Sequence, residues 1–366
     1  MGWMGSKLKD LASEKGLSLT DFAKLIGVSR QTVNDWIKGQ IPKGNHLVKI
    51  CRSFEMSPND FFSQDVETAI SVPAHRKRGR AKITTDRQKE AIELVKGYEL
   101  LFRNAEQNSI LPVIRPTSKT KTAAMQISEE LRALCNAREG TPLDYEETFE
   151  LLSQLGIVAV FRYFPENIKS YAFYTKVHAH RVIFINNSTN VLDLIFPLIH
   201  ESVHAIRDEA YSSGMYDTEE EDFCDYVASY VQFPEEYVKF IHESIQNLTP
   251  AQQVNQLKLF GKRYNHALYG LVKRIQSLFP SFKLNVSGAD NKLRKNFTTI
   301  GDILFGSEDP EHFLYLQKKL SPWFIELLLG KINNISQRKV GELLDLENFL
   351  DATSVYKLLQ KASSED

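Results

Sequence analysis

Residues 191–208 read VLDLIFPLIHESVHAIRD. The apolar residues Leu198, Ile199, Val203 and Ile206 surround three polar ones, His200, Glu201 and His204. That pattern predicts a buried helix from about Val191 to Asp208, with Asn190 as its cap. Residues four apart on a helix share a face, one turn above each other. His200 and His204 therefore aim imidazole nitrogens at one ion. Glu201 projects at a neighbouring angle, close enough to hold the water such an ion activates without ligating the ion itself. Two His ligands and a Glu base are what the HExxH pattern supplies to a catalytic zinc.

A catalytic zinc takes three protein ligands and keeps one position open. The third comes from TEEEDFCDYVASYVQFP (218–234), which predicts a helix from about Thr218 to Val231 that stops before Pro234. Glu221 and Asp225 stand four apart on its face. One carboxylate completes the metal shell, and the other accepts the outer ring N–H of a ligating His and so fixes its tautomer. We assign Glu221 to the metal and Asp225 to the His. Glu219, Glu220 and Asp222 satisfy the spacing as well. The expected cofactor is one Zn2+ per chain, and Glu201 is the expected catalytic base.

Three β-branched and aromatic runs lie upstream: GIVAVF (156–161), YAFYT (171–175) and RVIFIN (181–186). They predict a small three-stranded sheet. Before them, helices are expected over about 84–107 and 121–137. Residues 235–366 are mostly helical by periodicity and carry no evident chemical motif. With 366 residues, the chain exceeds a single core. The fold class is mainly α with a small β-sheet (α+β). The expected parts are an all-α domain at 1–66, a basic linker at 67–83, a zincin-like metallopeptidase domain at 84–245 and a helical region at 246–366.

Net charge is −1, so any affinity for nucleic acid has to be local. Three widely spaced cysteines without a CxxC argue against a disulfide framework or a cysteine zinc cluster and suit the cytoplasm. No run of 18 apolar residues occurs, so no membrane partner is expected.

Local signals for DNA sit in residues 7–62, KLKDLASEKGLSLTDFAKLIGVSRQTVNDWIKGQIPKGNHLVKICRSFEMSPNDFF. Ser18 caps a helix whose Phe22, Ala23 and Ile26 face inward. Gly27 allows a tight turn, and Val28 plugs the angle between two helices. Ser29 caps the second helix, whose Val33, Trp36 and Ile37 pack on the first. Arg30, Gln31, Asn34 and Lys38 are left on the opposite face. Arg, Gln and Asn read guanine and adenine edges, while Lys38 and the N–H groups near Ser29 suit phosphates. The stretch resembles the Cro/C1-type (XRE-like) helix-turn-helix over its full length, which implies a double-stranded DNA operator and a possible homodimer. Residues 1–66 carry nine basic and seven acidic residues, a weak excess that also fits a protein-contact module. Five of the seven residues from Arg76 to Lys82 are basic. They serve either as a phosphate-tracking arm or as a solvated hinge.

The stretch from the sheet through VLDLIFPLIHESVHAI and EDFCDYVASYVQFP resembles the ImmA/IrrE metallopeptidases of bacteria and phages. Glu221, Ala228 and Pro234 match that family's ExEANxFAxxLLxP helix. Cys224, Asp225 and Val227 replace its Ala, Asn and Phe, and Phe223 replaces its second Glu. HESVH stands for the usual HELGH and keeps the three functional residues. AHRKR and GKINNISQRKVGELLDL also look like family segments. The resemblance implies a DNA-binding zinc metallopeptidase whose protein substrate is a specific repressor in a stress, phage or mobile-element response. The alternative is a transcriptional regulator or antitoxin-like repressor whose peptidase fold acts as a sensor with little turnover; Glu201 favours the enzyme. Tyr211, His242, Arg263, Tyr264 and His266 are candidates for an oxyanion stabiliser, but each reads better as a packing or surface residue, and none is assigned that role.

Overall fold

Ser18 and Ser29 open their helices as the sequence predicts. In a computed structural model, the Ser18 hydroxyl accepts from the Asp21 N–H at 3.2 Å and the Ser29 hydroxyl from the Thr32 N–H at 3.1 Å. Each such cap stabilises a helix by about 1 kcal/mol. The structure describes residues 2–3, 5–54, 56, 61–63, 85–103, 105, 118–166, 168, 170–178, 180–207 and 218–365. The linker read at 67–83, with its basic cluster, lies outside the described residues.

The chain forms two compact units, Met1–Glu67 and Thr68–Asp366. The first contains β1 (Gly2–Trp3), α1 (Lys7–Glu14), α2 (Leu19–Ile26), α3 (Arg30–Ile37), α4 (Gly44–Phe54) and β2 (Phe62–Ser63). Its core is Leu8, Phe22, Ile26, Val33, Trp36, Ile50 and Phe61. Gly27 takes φ +81°, the left-handed conformation that ends α2 and starts the turn. β1 pairs antiparallel with β2. Trp3 stacks on Phe61 and donates its indole N–H to the Trp36 carbonyl at 2.7 Å, so the N-terminal strand secures the end of α3.

The second unit begins with α5 (Thr85–Lys96) and α6 (Glu99–Phe102). The single helix expected over 84–107 is therefore broken. Gly97, the poorest helix former other than proline, stands at the break. The turn after it buries Tyr98 against Phe184 and Phe324. Next come α7 (Lys121–Leu134), α8 (Tyr145–Gln154), β3 (Val158–Arg162), β4 (Ala172–Val177) and β5 (His180–Asn186). The strands form one sheet in the order β3-β5-β4. β3 runs parallel to β5, with Val160 opposite Phe184. β4 runs antiparallel, with Tyr174 opposite Ile183, and lies at the edge of the described sheet.

α9 (Val191–Arg207) and α10 (Thr218–Gln232) pack beside this sheet. Leu151, Phe161, Ile183, Leu198, Val203 and Phe223 share their core. α9 is buried on nearly every side, so its polar residues must find partners inside the protein. Asn190 does cap it: its side-chain oxygen accepts from the Leu192 N–H at 3.1 Å, and its amide donates to the Phe297 carbonyl at 2.8 Å.

α11 (Glu235–Ile245), α12 (Pro250–Arg263), α13 (Leu268–Leu278) and α14 (Ser287–Arg294) follow. They enclose a second core around Phe233, Tyr237, Leu257 and Leu271. The last helices are α15 (Ile300–Phe305), α16 (Pro310–Leu320), α17 (Pro322–Leu329), α18 (Gln337–Leu343) and α19 (Phe349–Glu365). Ile300, Leu304 and Leu320 reach into the core shared by the sheet, α9 and α10. The start of α15 runs beside the segment before α9, with Ile300 N–H on the Thr189 carbonyl and Gly301 N–H on the Asn187 carbonyl, both at 2.9 Å. A Cβ on Gly301 would stand 2.8 Å from that same Asn187 oxygen, so the approach requires glycine. The fold is thus mainly α with one small three-stranded sheet, as expected. No described helix is long and apolar enough to cross a membrane.

Candidate metal centre and DNA interface

His200, Glu201 and His204 are 1 %, 2 % and 4 % exposed, which makes their internal partners decisive. The two His Nε2 atoms lie 3.0 Å apart. Glu221 on α10 meets both: its Oε2 is 3.3 Å from His200 Nε2 and its Oε1 is 3.5 Å from His204 Nε2. A tetrahedral zinc with bonds of about 2.0–2.1 Å needs donor separations of about 3.3 Å. Two imidazoles and a carboxylate at these distances fit such an ion in both chemistry and spacing. Burial raises the affinity of the Glu221 carboxyl for a proton, but hydrogen bonds and charge attraction from His200 and His204 outweigh it and hold that carboxyl well below the usual carboxylate range. Burial pushes His204 down, toward the neutral ring a metal requires.

Behind the triangle, each ring has an outer partner. His200 Nδ1 lies 2.8 Å from Asp225 Oδ1, so Nδ1–H donates to the carboxylate and Nε2 turns its lone pair to the centre. His204 Nδ1 faces the Cys224 sulfur at 3.5 Å. Burial pushes the Cys224 thiol well up, which keeps it protonated. Glu201 points toward the sheet: the Tyr174 N–H of β4 donates to its Oε2 at 3.0 Å.

The rival carboxylates separate clearly. Glu219 and Asp222 are exposed. Glu220 is gripped by the Arg207 guanidinium, through Nε to Oε1 and through Nη2 to Oε2 at 2.9 Å, with Lys119 Nζ 3.0 Å from Oε2. Burial pushes Glu220 toward its protonated form, and the Arg207 and Lys119 hydrogen bonds overcome that, leaving it charged.

The oxyanion candidates lie elsewhere or have other contacts. Tyr211 is outside the described residues. His242 stacks on Phe279, the Arg263 guanidinium covers the Tyr264 ring, and His266 accepts from the Tyr237 hydroxyl at 2.7 Å. Sequence reasoning missed Cys224, Arg207, Lys119 and the Tyr174 N–H. Only Cys224 left a local signal, three residues beyond Glu221 and thus on the same helical face.

On α3, Arg30 and Gln31 are exposed and Asn34 is half-buried, Lys38 at its C-terminal cap is exposed, and Val33 and Trp36 are buried. Ser29 caps the helix at its N-terminus. Gln31 is braced by its own helix, its amide donating to Asp35 Oδ1 at 2.9 Å. One exposed face therefore carries polar side chains of the types suited to base edges, next to helix N–H groups suited to phosphate.

A comparison with curated proteins gives no match. The family model of the Cro/C1-type HTH DNA-binding domain matches residues 7–65, the stretch that spans the four helices of the first unit. The chain therefore opens with a Cro/C1-type helix-turn-helix DNA-binding domain, joined to a larger helical unit that holds the histidine and carboxylate cluster.

Proposed function

We propose that this chain is a DNA-binding zinc metallopeptidase that cleaves a specific regulatory protein, most simply a repressor. The supporting observation is the convergence of His200, His204 and Glu221 within 4.8 Å, with Glu201 one residue along the same helix. Similarity to the ImmA/IrrE pattern points the same way. His200, His204 and Glu221 would hold the zinc, which when bound would supply Lewis acidity and lower the pKa of water toward about 7. Glu201 would take the proton of the attacking water and deliver it to the leaving amine. The Tyr174 N–H fixes the plane of the Glu201 carboxylate for that transfer. Asp225 and Cys224 orient the two imidazoles.

The base and the edge strand are hydrogen-bonded neighbours, so a peptide added along β4 passes directly beside Glu201. The first unit directs the chain to an operator through α3, in the reducing cytoplasm that suits its three buried, unbridged cysteines.

The helix-turn-helix match itself favours a second reading, a transcriptional regulator whose metal site senses rather than cleaves. One experiment separates the two. Purified chain is incubated with a panel of candidate repressor proteins, with and without added zinc, and the products are mapped by mass spectrometry. Zinc-dependent cleavage at one bond supports the peptidase. Retained operator binding that responds to zinc, without any cleavage, replaces it with the sensor.

A further inference from the structure

Two acidic neighbours on α10, Glu220 and Glu221, lie beside the same histidine. His204 faces Glu221 through Nε2 and faces Cys224 through Nδ1. Glu220 Oε1 lies 3.8 Å from the Cys224 sulfur. Two triads of donors therefore share His204: one with His200 and Glu221, and one with Glu220 and Cys224. The second offers nitrogen, oxygen and sulfur, a set that zinc also accepts.

Arg207 breaks the tie. It is 3 % exposed, and a buried guanidinium needs a charged partner. Its side chain lies over the Phe223 ring at 4.9 Å and closes a two-point fork on Glu220, with Lys119 on the same carboxylate. A carboxylate already facing two cations has little to offer a dication.

We infer that Arg207 is a positioning residue that selects the metal's ligands: by clamping Glu220 it denies the ion the Glu220–Cys224–His204 set and leaves it to His200, His204 and Glu221. Cys224 then serves as a neutral hydrogen-bond partner of His204. Without the clamp, Glu220 turns to the ion and Cys224 follows, giving its proton to solvent as it ligates. This inference rests on the metallopeptidase reading, and its test is arranged to fail separately.

The test is titration of the full-length chain with cobalt(II), whose absorption reports sulfur ligation through an intense sulfur-to-metal band. Wild type is expected to bind one cobalt with weak nitrogen/oxygen bands only. Arg207→Met keeps the length and the packing on Phe223 but removes the fork. It is expected to gain the sulfur band, which a further Cys224→Ala change removes, and to lose zinc affinity at the original site by ~10–100-fold. Arg207→Lys, which restores the charge, returns the wild-type spectrum. If Arg207→Met fails to fold, Arg207→Lys combined with Lys119→Met opens the fork while keeping one charge in place, and is read for the same band. Cobalt binding by wild type with no sulfur band in any opened variant overturns the inference alone, as does a sulfur band in wild type. A wild-type chain that binds no cobalt removes the metallopeptidase reading itself.

Discussion

Asp225→Asn tests how the site divides its work. The Asp225 carboxylate accepts from His200 Nδ1 at 2.8 Å, and its side chain is 50 % exposed. A charge-assisted hydrogen bond contributes about 1.5–3 kcal/mol when shielded. Half exposure screens it, so the lower end applies, about 1.4 kcal/mol or ~10-fold in zinc affinity. Glu221 differs in kind. Its side chain is 14 % exposed and it touches both His Nε2 atoms, so on the proposed reading Glu221→Ala would remove a ligand rather than the support of one. A loss beyond ~100-fold is expected there, above the range for outer partners. Glu219→Ala, at an exposed position, should change affinity by less than ~2-fold, as surface substitutions do. Competition against a chromophoric chelator gives the apparent Kd of each variant. Comparable losses at Glu219, Glu221 and Asp225 would mean a diffuse acidic patch and refute the reasoning. An Asp225→Asn loss as large as that of Glu221→Ala would exchange their roles.

Glu201→Gln keeps size and polarity but cannot take a proton, so it should hold zinc at wild-type affinity and lose all cleavage; turnover at the wild-type rate removes the general-base role. Arg30→Ala or Gln31→Ala should relax operator preference at one base position by about 1–3 kcal/mol, read by fluorescence titration against single-base operator variants. Uniform loss across all of them would make these residues phosphate contacts. His266 is fully buried, with its Nδ1–H directed to the Ala267 carbonyl and its Nε2 accepting from Tyr237, and burial pushes it down to about 4. Its folded pKa lies below the unfolded one, so its contribution is complete above about pH 6.5 and is lost as pH falls toward 4, roughly 3 kcal/mol in all. Urea melts across that window should show the slope, and His266→Gln should flatten it; an unchanged slope in that variant assigns the acid sensitivity to another group.

Which features were legible follows from how far apart in the chain their causes lie. The histidine pair needs only four residues of helix, and the caps at Ser18, Ser29 and Asn190 need only two or three. Their chemistry is local and reads directly from spacing. The sheet was legible for the same reason, since β4 and β5 are a hairpin and each strand is a run of branched or aromatic residues. The break at Gly97 was harder. The apolar pattern runs through it, and what ends the helix is Tyr98 finding Phe324, more than two hundred residues away.

The same limit explains the one ambiguity that spacing left open. Glu219, Glu220, Glu221 and Asp222 are equivalent as letters, because four consecutive acids sample every direction around a helix. Periodicity alone selects two faces, not one residue. The choice is made by groups the local sequence does not contain: Lys119 and Arg207 on one side, His200 and His204 on the other. Each carboxylate is held by the nearest cationic or donor group across a tertiary contact, and the buried setting makes that pairing costly to exchange. Identical acids one residue apart thereby take opposite roles. Glu220 balances a buried arginine, and Glu221 remains as the carboxylate that faces the two imidazoles.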